Sequence, residues 1–460
     1  MRVKKVCLVR VGLRFCYGCR KLGLPLTQPC MALRKPSKPV QKALGWSILQ
    51  SAFKLTGLYG VGKLMALWFG PAGLALIGQF QNLLYLQQNA GGAAVHNALI
   101  QGMSQQKGEG RDEEPYLRKG LALGMILSLG VALLWWSLLP WLLDPVLGGD
   151  FPLWLAIILP ITVLGSAFWA GALAQAASER HYRRNALLNM AQTSSTVLFF
   201  GILGYQGGLV GACLGLALAQ IPPAVYAYLH LKPRLGEWWL QAWRYGTDRN
   251  FLHSPMWPLV GMALYSVGMT QVVLVLIRSQ LLTEFSAETA GWWEGVQRIG
   301  NLWVPVISTL MTSHFLPALS QAKDRPTYTR LSIQAALGSS ALVGIYALVV
   351  LLLGNRAITF LFSQAFSPML LVLPLHLATD VIKAGVWGLH NAMLARKKAR
   401  WLVLIDISFQ TLYVFGVFWA TPRYGWEASV TAYAIGMIIN AIVTIVLWKK
   451  IQMTDPVLTP

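Results

Sequence analysis

Two lysines, Lys54 and Lys63, interrupt the otherwise apolar run GWSILQSAFKLTGLYGVGKLMALWFGPAGLALIGQ between Gly45 and Gln79. The run is long enough to cross a bilayer, turn at Phe69-Gly70-Pro71 and re-enter. A lysine at the centre of a spanning helix costs about 2.5–3.5 kcal/mol on insertion scales. Such a charge is retained where the helix lines a wet cavity or meets an anionic partner. The chemistry open to these ammonium groups is therefore electrostatic: they can compensate a negative charge in a region of low dielectric. Lys54 lies about nine residues, roughly 13 Å, into the span, a depth that suits a cavity-facing phosphate ligand or a structural ion pair. Lys63 comes nine residues later, on the opposite face of a straight helix at about 100° per residue. It shares the cavity if the helix bends at Gly57, Gly60 or Gly62, and otherwise snorkels to the interface.

Three further constellations carry charge inside apolar segments. Asp380 and Lys383 share one helical face; the pair forms an internal salt bridge at rest, or opens when an anion or proton arrives. His376, one turn before Asp380, can share a proton with it or be a satisfied core histidine. Glu294 and Arg298 are spaced i, i+4, as a structural pair with partial cavity exposure. Asp406 follows Arg400 by six residues, shallow enough to pair with a loop cation. Gln79 adds a neutral polar group to the candidate substrate contacts. Gly57-Leu-Tyr-Gly-Val-Gly62-Lys63-Leu64 nearly matches a P-loop, but the Mg²⁺ hydroxyl position is Leu64 and no strand precedes it, so ATP hydrolysis is excluded. No metal-protease or Gly-x-Ser-x-Gly signature occurs, and no outward connection much exceeds about a dozen residues, which leaves no room for an extramembrane enzyme domain. No cofactor is called for.

The elements that must position these groups are apolar helices. The hydrophobic fraction is 55%, charged residues make up 12% and mean hydropathy is +0.52, outside the soluble range. A net charge of +21 would suit nucleic acid, but the cations lie in short runs between apolar segments, as membrane topology requires. Twelve such segments are expected, at about 45–68, 71–97, 119–141, 152–177, 186–205, 208–230, 255–278, 291–319, 331–354, 367–394, 401–420 and 425–448. Alternate connections are basic, for example Arg180, Arg183 and Arg184, or Arg396, Lys397, Lys398 and Arg400. The opposite connections hold only Arg278, Arg356 and Arg423 against five carboxylates. The positive-inside rule then puts both termini in the cytoplasm.

The two halves read as repeats. Ala72-Gly73 and Gln79 recur as Ala290-Gly291 and Gln297, and Gln192-Thr193 recurs as Gln410-Thr411, all at an offset of 218 residues; Gly208 recurs as Gly425 at 217. Six spans per copy give both copies one orientation, with an axis along the membrane normal. The expected domains are a basic extension at 1–40, a six-helix bundle at 41–230, a tryptophan-bearing interfacial linker at 231–253, a second bundle at 254–450 and a tail at 451–460. The extension holds four of the five cysteines and no run suited to a signal peptide; it reads as a disordered tail or as an upstream start, with Met31 the true beginning.

VGKLMALWFGPAGLALIGQFQNL, GWWEGVQRIGNLWVPVISTLMTSHFLPALSQ and DVIKAGVWGLHNAMLARKKARWLVLIDISFQTL resemble the Wzx-type flippases of lipid-linked oligosaccharides, especially the branch serving enterobacterial common antigen. The resemblance covers about residues 42–450. It implies the multidrug/oligosaccharidyl-lipid/polysaccharide exporter fold: an all-α membrane protein with twelve transmembrane helices in two pseudo-symmetric six-helix bundles around a central cavity. It implies movement of an undecaprenyl-diphosphate-linked oligosaccharide from the cytoplasmic to the periplasmic leaflet of a bacterial inner membrane. Membrane lipid, a glycan polymerase and a chain-length regulator would be partners, and nucleic acid would not. The family pattern has an acidic residue near Asn301 and a basic one near Gln81, which this chain lacks. On this reading the diphosphate meets Lys54, assisted by Lys63, Arg298 and Lys383, while Asp380, His376, Glu294 and Asp406 serve as coupling or ion-pair groups. A cation-coupled multidrug or metabolite antiporter is the competing transporter reading, and a membrane enzyme or scaffold for glycan polymerisation is the non-transport one.

Overall fold

The computed structural model describes residues 38–108, 110–142, 152–179, 181–235, 256–322, 324–396 and 398–454. The basic extension up to residue 37 and the linker from 236 to 255 lie outside the described residues. The chain divides into two compact units, Met1–Leu44 and Gly45–Pro460. Of the first, the described residues are the start of a helix. The second holds everything that follows.

Every regular element among the described residues is helical, as a chain that must satisfy its backbone within lipid requires. The first half comprises α1 (Lys38–Ala90), α2 (His96–Gly108), α3 (Glu114–Leu142), α4 (Leu153–Val163), α5 (Ser166–Ser178), α6 (Tyr182–Leu218) and α7 (Ile221–Leu235). The second comprises α8 (Met256–Glu284), α9 (Ala287–Gly300), α10 (Val304–Leu310), α11 (Leu316–Gln321), α12 (Arg325–Leu353), α13 (Asn355–Leu361), α14 (Leu373–Ala395), α15 (Ala399–Tyr424) and α16 (Ala428–Thr454). Among the described residues seven stretches are long and apolar enough to cross a membrane, or eight if 364–371 and α14, bent by 66°, form one span.

α1 holds the segment expected at 45–68 and, as far as Ala90, that at 71–97, and α6 holds the segment at 186–205 and the start of that at 208–230, with a kink dividing the two in each case. Each contains one residue that leaves helical geometry: Gly70 (φ 62°) and Gly208 (φ 58°). Only a residue without Cβ adopts this conformation at low cost, so glycine sets where each chain path turns. Between Lys54 and Lys63 no residue leaves helical geometry, so no break at Gly57, Gly60 or Gly62 swings one lysine round to the other.

The outward faces confirm the solvent. α12 exposes Leu337, Ile345, Leu348 and Leu352, and α16 exposes Ile435, Ile438, Ile442 and Val446. Rows of exposed aliphatic side chains this long are solvated by acyl chains, not water. The protein is a multi-pass membrane protein. Inside, one apolar core unites both halves, from Met65, Leu74 and Phe80 of α1 to Trp293 of α9, Phe366 and Met437.

Candidate functional site

Lys54 is exposed on α1 and opens into a cavity of about 210 Å³. Gln81 and Gln88 from the distal part of α1, Trp169 from α5, Gln192 from α6 and Gln220 from the α6–α7 turn complete its polar wall. Lys54 is the one charged residue among the described lining, which contains no carboxylate. Close approach of α1 to α6 forms the wall: a Cβ at Gly57 would sit 2.3 Å from Thr193 Cγ2. Gln192 Nε2 donates to Gln220 Oε1 at 2.7 Å, which ties α6 to the following turn. A cavity with one cation, several amides and no acid accepts an anionic group and hydroxyl-rich neighbours; it disfavours organic cations. A larger groove of about 540 Å³ beside Arg325 and Arg330 shares no lining residue with it.

Beside this cavity a buried ionic seam joins the halves. Glu294 of α9 receives Arg298 Nε at 2.8 Å and also Arg278 Nη2. Arg278 Nη1 donates to Gln79 Oε1 at 2.8 Å, and Gln79 Nε2 donates to Ser279 Oγ at 2.9 Å. With its amide oxygen turned toward the guanidinium, Asn82 accepts from Arg278 at 3.1–3.2 Å. Arg298 Nη2 donates to Gln81 Oε1 at 2.6 Å, so this cation reaches the edge of the Lys54 cavity. A guanidinium at 0% exposure is tolerable only when paired in this way; both terminal nitrogens of Arg278 find partners, and its Nε has none.

Several sequence expectations are corrected here. Arg278 is not in an outward connection: α8 continues to Glu284 and buries it. The Glu294–Arg298 pair forms, but as part of a triad. Gln79 does not line the cavity; it is wholly buried and serves Arg278. Lys63 reaches neither the cavity nor free interface, because its Nζ donates to the carbonyls of Thr359 and Phe362 at the end of α13. Those carbonyls carry the negative end of a short helix, which a cation stabilises.

The second half holds a separate cluster. Asp380 is 1% exposed; Tyr433 Oη donates to its Oδ1 at 3.0 Å, and His376 Nε2 lies 3.6 Å from its Oδ2. The neighbourhood expected for His376 and Asp380 is therefore real. The expected Asp380–Lys383 salt bridge is not: Lys383 instead stands over the rings of Trp303 (5.9 Å) and Tyr433 (5.8 Å). Lys383 and Lys54 do not share a cavity. Asp406 lies against Tyr265 and Gln410, not paired with Arg400. Sequence reasoning missed Arg278, hidden by a span boundary drawn at 278, and the cavity amides. A glutamine or tryptophan in a membrane helix carries no charge to betray it, although Gln192 had already stood out through the repeat.

Lipid-exposed helices with a polar cavity beside a buried seam between halves share their fold with solved structures of the multidrug/oligosaccharidyl-lipid/polysaccharide exporter superfamily. An inward-facing multidrug transporter of that superfamily covers 90% of this chain and 99% of its own at a TM-score of 0.71 and 13% identity. The lipid II flippase MurJ, inward closed, covers 90% and 93% at 0.65 and 12%. The resemblance read from the sequence also holds. The chain is 26% identical to the lipid III flippase of Escherichia coli over 407 residues, 85% of this chain and 94% of the relative. No protein-family model matches the chain.

Proposed function

We propose that the protein flips an undecaprenyl-diphosphate-linked oligosaccharide, of the lipid III or O-antigen type, from the cytoplasmic to the periplasmic leaflet of the bacterial inner membrane, with both termini cytoplasmic. The observation that carries this reading is the Lys54 ammonium, the single charge of an amide-lined cavity without a carboxylate. A diphosphate crossing low dielectric needs a compensating cation along its path. Lys54 supplies one, and Arg298, held at the cavity edge through Gln81, supplies the next. The sugars occupy the polar cavity while the prenyl chain stays in lipid. The similarity to a lipid III flippase supports the same substrate class. Asp380, buried beside His376 and Tyr433, is the acid that coupling to a cation gradient would use. A glycan polymerase and a chain-length regulator are the proteins this reading places downstream.

The test is reconstitution in vesicles carrying an undecaprenyl-diphosphate glycan, with complementation of a flippase-deficient strain. Lys54→Ala abolishes movement and surface glycan, and Lys54→Arg restores part of it. Normal movement by Lys54→Ala removes the assignment. Dye resistance without surface glycan would favour the multidrug reading, against which the sign of the cavity charge already speaks.

A further inference from the structure

Glu294 is claimed by two arginines. Its Oε2 accepts from Arg278 Nη2 and its Oε1 from Arg298 Nε. Two guanidiniums against one carboxylate leave this triad with one positive charge in surplus. The other groups on it do not remove that charge. Gln79 and Gln81 accept through neutral amide oxygens, and Asn82 does the same once its amide is turned. Among the described residues no second carboxylate pairs with either arginine.

The two arginines differ in where that charge can be used. Arg278 is wholly buried, and its Nη1 and Nη2 are both taken. Arg298 keeps 18% of its side chain exposed, and its Nη1 makes no hydrogen bond to any described residue. A Cβ at Gly62 would lie 3.9 Å from that nitrogen, one residue along α1 from Val61 of the cavity wall. Gln81, also of the wall, holds the neighbouring Nη2. The surplus therefore surfaces at the cavity edge, on the arginine that has donors to spare. Without Arg278, Glu294 and Arg298 would form an ordinary neutral i, i+4 pair within α9, and the edge would carry no net charge.

We infer that Arg278 is a positioning residue for the diphosphate: it competes for Glu294 and so leaves Arg298 net positive toward the anion that Lys54 meets. The inference rests on the flipping reading above. Arg278 and the substrate do not touch; the effect passes through the shared carboxylate. A charge held in a medium of low dielectric is felt further than one in water, which is why a buried guanidinium can act from behind the wall.

The experiment measures binding of undecaprenyl diphosphate to the full chain in nanodiscs, with uncharged undecaprenol as the control for the lipid tail. Arg278→Met weakens the diphosphate by about tenfold, the scale of one unit charge acting through a low-dielectric wall, and leaves undecaprenol unchanged. Arg278→Lys keeps the charge and stays within about threefold of the wild type. Adding Glu294→Gln to Arg278→Met leaves Arg298 as the single charge of the former triad, and brings diphosphate affinity back to within about threefold of the wild type. A merely structural arginine would not be mended by a second lesion in the same triad. Wild-type affinity in Arg278→Met, or a double variant no better than the single one, overturns the inference and leaves the Lys54 assignment standing. Failure of the wild type to prefer the diphosphate over undecaprenol overturns the flipping reading and the inference together. If Arg278→Met is not recovered folded, Arg278→Gln, which can still bond its amide neighbours, takes its place with the same outcomes.

Discussion

Residues 218 apart place the two halves side by side, and they have been put to different use. Tyr85 and Trp169 in the first half correspond to Trp303 and Trp387 in the second. In the first half the two rings line an open cavity together with Lys54. In the second the two tryptophans pack edge to face at 5.9 Å, and Lys383 lies over Trp303. Gln192 faces the cavity and bonds Gln220, whereas its counterpart Gln410 lies against Asp406. One half therefore keeps polar groups available for a ligand. The other closes the equivalent space with aromatic rings and a buried acid. A lysine in a membrane helix can thus be a ligand or a packing element, and what covers it decides which.

The comparison depends first on the seam that holds both halves in register. Glu294→Gln leaves Arg278 and Arg298 without their shared carboxylate at full burial. Unfolding free energy in detergent falls by about 3–5 kcal/mol, and both halves lose order together by hydrogen exchange. Loss confined to one half would break the picture of a shared frame. The next test sets the two lysines against each other. Lys54→Ala lowers affinity for undecaprenyl diphosphate by about ten- to a hundredfold, the scale of a lost charge-assisted bond. Lys383→Met leaves that affinity within about twofold and costs only cation–π contact, about 0.5–2 kcal/mol of stability. Equal losses in the two variants would erase the distinction drawn here.

Smaller effects sharpen the second half. A Cβ at Gly300 would lie 2.3 Å from His376 Nε2 and 2.6 Å from Asp380 Oδ2. Gly300→Ala therefore forces the acid–histidine pair apart and destabilises by about 1–3 kcal/mol, seen as a lower thermal midpoint with carrier affinity retained. Tyr433→Phe removes the one hydroxyl donating to Asp380 Oδ1 and costs about 1 kcal/mol. If coupling runs through Asp380, the pH dependence of transport shifts in Tyr433→Phe and not in Lys383→Met.

How much the sequence revealed varied with the kind of group. The membrane class, the turn at Gly70 and the place of Lys54 on a cavity wall were legible, because apolar length and an intramembrane charge are each costly enough to leave an unambiguous mark. The Glu294–Arg298 pair was legible from its spacing within one helix. Arg278 was not, since its partners come from α1 and α9, far along the chain. Lys63 likewise found its carbonyls on α13, 296 and 299 residues away. The P-loop likeness at Gly57–Leu64 dissolves in the fold, where those residues form continuous helix.

What the chain determined by itself was the solvent it lives in and where its helices turn: a long apolar run must span lipid, and a left-handed turn is cheap only at glycine. What the tertiary structure decided was the fate of each buried charge. Helical spacing orders neighbours within one turn, but neutralisation acts through space. Only the packing of distant helices determines whether a lysine meets a carbonyl, an aromatic face or an open cavity.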